Sequence, residues 1–239
     1  MAQSAPHGPG LARQIPSLAA RLYGWLTTRL YHEFAWAYEL VAWLVSLGRW
    51  SAWRRSVLRY VAGRRVLELG CGTGALLLEM SRCGLDAVGL DLSPAMLRLA
   101  ARRARRSTGN IALVRADGRA LPFSDGSFDS VVATFPAGYI LDSTTLQEVA
   151  RILRRSPTAD GHAPTLVVVG LTVETRCRAL AWLASLVNGG WSEKINDCFL
   201  SAAAFAGLAG ECILLNERLF QVPVLVLTPV TGNERGGGE

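Results

Sequence analysis

The sequence predicts an α/β protein built on a mostly parallel sheet. Apolar strand-like runs and helical stretches alternate regularly from residue 65 to 171, a rhythm that right-handed crossovers turn into parallel pairing. Three glycines, Gly70, Gly72 and Gly74, follow the first run at once. Two further runs near the carboxyl end are separated by a turn alone, too short for a crossover, and so predict an antiparallel hairpin at one edge.

Residues 1–16, rich in Pro and Gly, read as a flexible tail. Residues 17–63 read as a helical cap, with Leu18, Leu22, Trp25 and Leu26, then Phe34, Leu40, Val41 and Leu44 at helical spacing. Gly24 and Gly48 interrupt or close these helices, and a third helix fits 49–62. Within a core at 64–231, strands are expected at 65–69, 87–91, 111–116, 130–134 and 165–171. Helices are expected at 75–82, from Pro94 to about Arg106, and at 143–155. Pro94 suits the first turn of its helix, where its missing N–H is not needed. Beyond lie a helical stretch near 173–187, within a lid insertion at about 173–197, and a helix near 198–208. The final strands are expected near 211–219 and 222–228, with Gln221 at the turn, and 232–239 as a second tail.

With 239 residues, half of them hydrophobic and 18% charged, the chain suits one well-developed core rather than two enzyme domains. Its charge is uneven. Residues 1–65 hold nine Arg against Glu33 and Glu39, a net of +7, so the remainder of the +6 chain sums to −1. A basic amino-terminal part suits phosphate, an anionic membrane or an acidic substrate, or is plain solvated surface. Five cysteines without metal spacing fit a reducing compartment, and no metal site is expected. No signal peptide is legible and no apolar run reaches the roughly 18 to 20 residues of a membrane span. The expected location is the cytoplasm, with peripheral membrane contact through the basic, Trp-rich amino-terminal helices.

The strongest functional signal is Glu68-Leu69-Gly70-Cys71-Gly72-Thr73-Gly74, between a strand and a helix. Glycines are needed where a chain turns sharply and a ligand approaches backbone closely. Asp91 ends the second strand, at the roughly 20-residue offset of a ribose-binding acid, or caps the helix after it. Asp117 closes the third strand, where it can accept from an adenine amino group. Spacing alone leaves a dinucleotide reading open, since Gly70-x-Gly72-x-x-Ala75 fits that fingerprint too. Glu68 tilts the case: it favours a cationic ligand end and would repel a diphosphate.

Read together, Glu-Leu-Gly-Cys-Gly-Thr-Gly, then the stretch Gly89 to Leu97, then Ala116-Asp117-Gly118 resemble the class I S-adenosylmethionine-dependent methyltransferases. Residues 121–129, from Leu121-Pro122-Phe123 to Phe128-Asp129, resemble the segment before strand four in the UbiE/COQ5-like branch. The resemblance spans about residues 64–171. It implies a Rossmann-like seven-stranded sheet with a late antiparallel hairpin and S-adenosyl-L-methionine as cofactor. It further implies Glu68 and Gly70, Cys71, Gly72, Thr73 and Gly74 at the methionine part, Asp91 at the ribose, Leu92 and Met96 beside the nucleoside, and Asp117 with Gly118 around adenine. Thr134 and Phe135, with Pro136, would line the sulfonium and acceptor side. A longer polar loop, Arg155 to His162, replaces the family's Pro-Gly-Gly turn.

The acceptor is expected to be a small, apolar, lipid- or quinone-like molecule. Tyr139, on the loop after strand four, ranks above His32 as a residue meeting it, and His32 is the candidate base. Trp36, Trp43 and Trp50 recur every seven residues and would share a face if their helix ran through Gly48; they either pack the cap or line an apolar funnel. Nucleic acid is the weaker candidate partner, since no binding module accompanies the cluster Arg102, Arg103, Arg105 and Arg106. Two other readings stand beside methyl transfer. A nicotinamide oxidoreductase would need a catalytic Tyr-Lys pair, which Lys194, the sole lysine, does not provide. A non-catalytic cofactor-binding protein is the other.

Overall fold

The computed structural model of the protein describes residues 43–44, 46–107, 110–159, 161–175, 194–217 and 219–230. Both expected tails, most of the amino-terminal cap and the 176–193 part of the expected lid lie outside them.

Helix α1 (Trp50–Arg55) starts afresh after a break. Leu47 and Gly48 take positive φ values of 51° and 82°, and the Gly48 N–H closes the preceding turn on the Trp43 carbonyl at 2.8 Å. The backbone therefore does not run helically through Gly48. Trp50 is buried while Trp43 is 56% exposed, so these two rings share no face. A 3-10 turn (Ser56–Arg59) then delivers the chain to the sheet.

The sheet is built from β1 (Arg65–Leu69), β2 (Asp86–Asp91), β3 (Ile111–Arg115), β4 (Ser130–Thr134), β5 (Thr165–Val169), β6 (Glu174–Thr175), β7 (Leu208–Asn216) and β8 (Phe220–Pro229). Its order is β3-β2-β1-β4-β5-β8-β6, with β7 on β8. β1 to β5 are parallel, and β8 runs antiparallel to β5, β6 and β7. The helices between them are α2 (Ala75–Arg82), α3 (Pro94–Ala104), α4 (Ser143–Ile152) and α5 (Lys194–Phe205).

Alternate residues of the central strands serve two cores. Leu67, Leu69, Val131, Ala133, Leu166 and Val168 face α4 and α5, packing with Leu146, Val149, Ile152, Phe199 and Ala203. Val66, Val132, Val167 and Val169 face the other way, onto Trp50, Trp53, Leu76, Leu77 and Met80 of α1 and α2. Burial on both faces is why these strands read as continuous apolar runs rather than alternating ones.

The seven expected strands are present, joined by the two-residue β6. Residue 173 does not open a helix: Glu174 and Thr175 pair with Gln221 and Phe220. Gln221 accordingly lies inside β8, which begins at Phe220. Helix α4 stops at Ile152 because Leu153 turns extended and bridges Phe128. The segment Leu121 to Asp125 is held by two side chains: the Arg151 guanidinium donates to the carbonyls of Leu121 and Phe123 and to Asp125 and Glu148, at 2.7–3.0 Å, and Glu148 accepts from Leu121 N–H at 2.8 Å. The polar loop before β5 closes on itself, Thr158 N–H donating to the His162 carbonyl at 2.8 Å.

Candidate cofactor and active site

From β1 the chain moves outward through β2 to β3; β4 and β5 lie on the other side of β1. The carboxyl ends of β1 and β4 thus flank a topological switch point, where open α/β sheets bind ligands.

The bend Gly70–Gly74 lies there. Gly70 and Cys71 donate their N–H groups to the Leu90 carbonyl at 2.8 and 3.0 Å, tying the bend to β2. Gly74 has φ 75°, and a side-chain carbon on it would stand 2.8 Å from Cβ of Ala100 in α3. One turn further along α3, Arg103 donates from Nη1 to the Thr73 carbonyl at 3.1 Å and also to the Thr73 hydroxyl. Ala100 and Arg103 thus brace Thr73-Gly74 from the next βα unit. At Gly72 an added carbon would meet nothing within 4 Å. At Gly70, however, it would stand 2.5 Å from the Tyr139 hydroxyl.

Asp91 addresses this bend directly, while Glu68, two residues before it on β1, meets Thr134 of β4. Asp91 accepts from Gly72 N–H through Oδ2 and from Ser93 N–H through Oδ1, each at 2.8 Å. The cap of α3 itself is Ser93, whose hydroxyl accepts from Met96 N–H, and a carboxylate oxygen can accept more than one hydrogen bond. Glu68 is buried. Its Oε1 accepts from Thr134 Oγ1 at 3.5 Å, and its Oε2 has no partner among the described residues. Burial pushes the Glu68 carboxyl up to about 8; the Arg54 charge opposes that rise and the Asp91 charge adds to it. Cys71 turns its sulfur toward Gly89, behind the bend. Burial, with Glu68 and Asp91 nearby, pushes its thiol up, so it is no nucleophile.

Asp117 and Gly118 follow β3 closely. Asp117 accepts from the Arg119 N–H at 3.0 Å and lies 3.5 Å from its guanidinium. Arg119 also donates from Nε to Asp142 at 2.8 Å. That bond holds the Asp142 carboxyl below the usual range. Tyr139 lies on the 3-10 turn Gly138–Leu141, with its ring near Gly118 and its hydroxyl donating to the Leu69 carbonyl at 3.1 Å. It thus spans from the end of β3 to the end of β1. Leu92 is 60% exposed at the mouth. Met96, in the first turn of α3, is fully buried.

At the end of β4, Phe135 adopts φ 49°. Its ring stacks on Trp50 at 3.7 Å and 22°, and a side-chain carbon on Gly170 would come within 2.2 Å of it. His32, Tyr23, Tyr31, Tyr38, Trp36, Trp182 and Trp191 lie outside the described residues. Sequence reasoning missed Arg54, Ala100, Arg103 and the Trp50–Phe135 stack. The three-residue offset of Ala100 and Arg103 on one helix face was legible, but their partner strand-turn was not. Among the described residues no group of three or more His, Cys, Asp or Glu is placed to hold a metal, and no helix is long and apolar enough to cross a membrane.

Residues 66–156 match the family model described as a methyltransferase domain. The demethylmenaquinone methyltransferase of Thermus thermophilus is 33% identical over 170 residues, 67% of this chain and 77% of that protein. The chain belongs to the class I S-adenosylmethionine-dependent methyltransferases, in the UbiE/COQ5-like branch. The ubiquinone/menaquinone biosynthesis C-methyltransferase UbiE of Geotalea uraniireducens is another relative of this methyltransferase, 34% identical over 57% of this chain and 60% of that one. Across three such relatives the matched share of their length runs from 77% down to 52%. In three dimensions, the geranyl diphosphate C-methyltransferase of Streptomyces coelicolor is similar at TM-score 0.58 and 16% identity, over 75% of this chain and 79% of that one. The nicotinamide and non-catalytic readings are set aside, and the cofactor is S-adenosyl-L-methionine. The residues fit it: a sulfonium cation with an amino-acid end suits a buried carboxyl with one unpartnered oxygen beside a bend that is open at Gly72.

Proposed function

We propose that this methyltransferase acts on a small apolar acceptor of the quinone or isoprenoid class, received against the aromatic wall at the end of β4. The observation that carries this reading is the Trp50–Phe135 stack. A non-glycine residue in left-handed backbone costs roughly 1–2 kcal/mol, and such strain persists where the surroundings over-determine it, often at functional sites. Here it turns a flat ring from the sheet onto a flat ring from the cap. The names of the relatives, which act in quinone biosynthesis or on geranyl diphosphate, support the same class.

The bound cofactor supplies an electrophilic methyl group on a sulfonium, the chemistry the protein itself lacks. The chain's part is alignment and exclusion of water. Glu68 and the bend hold the amino-acid end, Asp91 the ribose, and Asp117 with Gly118 the adenine. Thr134 orients Glu68 through its hydroxyl. Phe135 and Trp50 shut water from the reacting side. Tyr139, whose proton is directed at the Leu69 carbonyl and whose ring lies between Gly70 and Gly118, supports the bend; His32 is the candidate base. We further propose that a cytoplasmic enzyme of this kind meets its acceptor at an anionic membrane, where Trp43, Leu44 and Leu47, each more than half exposed, enter the interface.

The test is incubation of the purified protein with methyl-labelled S-adenosylmethionine and, separately, a prenylated hydroquinone, the same hydroquinone without its prenyl chain, a phospholipid and bulk RNA. Label is expected in the prenylated compound. Label confined to phospholipid or RNA would overturn the proposed class.

A further inference from the structure

Two buried polar atoms of opposite character, in side chains close enough for the charge of one to act on the other, lack hydrogen-bond partners among the described residues: Nε of Arg54 and Oε2 of Glu68. Arg54 projects from α1, and its side chain is 14% exposed. Its neighbour Arg55 donates to Glu79 Oε2 at 2.8 Å. Arg54 itself approaches Glu79 only through Nη2, at 3.6 Å, beyond hydrogen-bonding length. Glu79 is therefore already served. Arg54 keeps its charge with an unmet N–H, and that charge is the foremost influence favouring ionised Glu68.

Burying charged donors and acceptors without partners is costly, and native proteins retain them where a ligand completes the set. A simple cation would satisfy Glu68 and be repelled by Arg54; a simple anion would meet the reverse. A zwitterion satisfies both. We infer that Arg54 receives the α-carboxylate of the cofactor's methionyl part while Glu68 receives its α-ammonium. The guanidinium fork suits a carboxylate and gives geometric selectivity that a lysine would not match. The inference rests on the proposed placement of the amino-acid end at Glu68.

The experiment compares two ligands by titration calorimetry: S-adenosylhomocysteine, and 5′-methylthioadenosine, which has the nucleoside and sulfur but no amino-acid end. The wild type is expected to bind the first more tightly. Arg54→Met is expected to weaken S-adenosylhomocysteine by about 10- to 100-fold, the range of a charged hydrogen bond, and to leave methylthioadenosine unchanged. Arg54→Lys should recover part of the loss. Equal weakening of both ligands in Arg54→Met would make the residue mere scaffold and overturn the proposal. If the wild type does not distinguish the ligands, the placement at Glu68 fails first; if it does and Arg54→Met still does to the same degree, the Arg54 assignment alone fails. Should Arg54→Met not fold, the wild type is titrated with decarboxylated S-adenosylmethionine. Binding as tight as that of S-adenosylmethionine overturns the carboxylate contact, and binding about 10- to 100-fold weaker upholds it.

Discussion

The Tyr139 hydroxyl donates to the Leu69 carbonyl at 3.1 Å, and the same oxygen would stand 2.5 Å from any side-chain carbon at Gly70. The segment after β4 is thereby fastened onto the bend after β1. Gly70→Ala must then abolish measurable binding of S-adenosylhomocysteine, because alanine collides with the phenol and also occupies φ 69°. In Gly70→Ala/Tyr139→Phe the collision is relieved while the backbone strain remains, so binding should return in part. Tyr139→Phe alone loses one neutral hydrogen bond, about 1 kcal/mol, lowering Tm by about 2–4 °C for a chain of this size. Strictly additive effects in the double variant would contradict the contact.

Glu68 sets a pH dependence. Its carboxyl, ordinarily near 4.5, is raised to about 8 in the folded protein. The bound cation favours ionised Glu68, so affinity for S-adenosylmethionine should climb as pH rises toward about 8 and then level. Glu68→Gln should flatten that profile and bind more weakly at its upper end. Stability moves oppositely. A carboxyl whose folded value lies above its unfolded one contributes stability that is whole below about 4.5 and is lost as pH rises through about 8. Thermal melts of the ligand-free protein should therefore find Glu68→Gln more resistant than wild type above that pH; an unchanged difference across the range contradicts the burial argument.

Arg103 predicts a defect in cofactor binding from a residue on a helix flank. Arg103→Ala removes the donor to both Thr73 oxygens, so the dissociation constant for S-adenosylhomocysteine should rise by ~10-fold, the scale of a charged hydrogen bond. Turnover at saturating cofactor should change far less. A loss in kcat with an unaltered dissociation constant would place Arg103 elsewhere in the mechanism.

The exposed trio Trp43, Leu44 and Leu47 is testable by co-sedimentation. The wild type should pellet with vesicles rich in phosphatidylglycerol more than with pure phosphatidylcholine, and Trp43→Ser/Leu47→Ser should lose most of that binding. No sedimentation of the wild type with either vesicle removes the membrane proposal.

Much of the central sheet was legible because its signals are local. Arg65 to Leu69 carries three aliphatic residues and is ended by glycine, and the observed strand has those bounds. Ser93-Pro94 opens its helix through a side-chain cap onto Met96. Glu68 and Asp91 were legible as carboxylates at strand ends, and Asp91 does address the bend through Gly72. What could not be read depends on distant partners. Glu174 and Thr175 are a strand only because β8 extends past β5 to meet them. Met96 carries a family position, yet its burial is set by packing that its neighbours in sequence do not reveal. Arg54 looked like one more positive charge in a basic segment; its meaning comes from Glu79 being taken by Arg55.

The packing of Phe135 on Gly170 constrains how such a protein can diverge. With the ring only 2.2 Å from where a methyl at 170 would stand, and φ 71° at that glycine, no alanine can be accepted there while the ring remains. Drift must begin at 135 with a smaller side chain, which also unstacks Trp50. Descendants with a remodelled aromatic wall should therefore carry changes at 50, 135 and 170 together, and randomising the three codons jointly is the economical route to the altered substrate range that the proposed acceptor placement predicts.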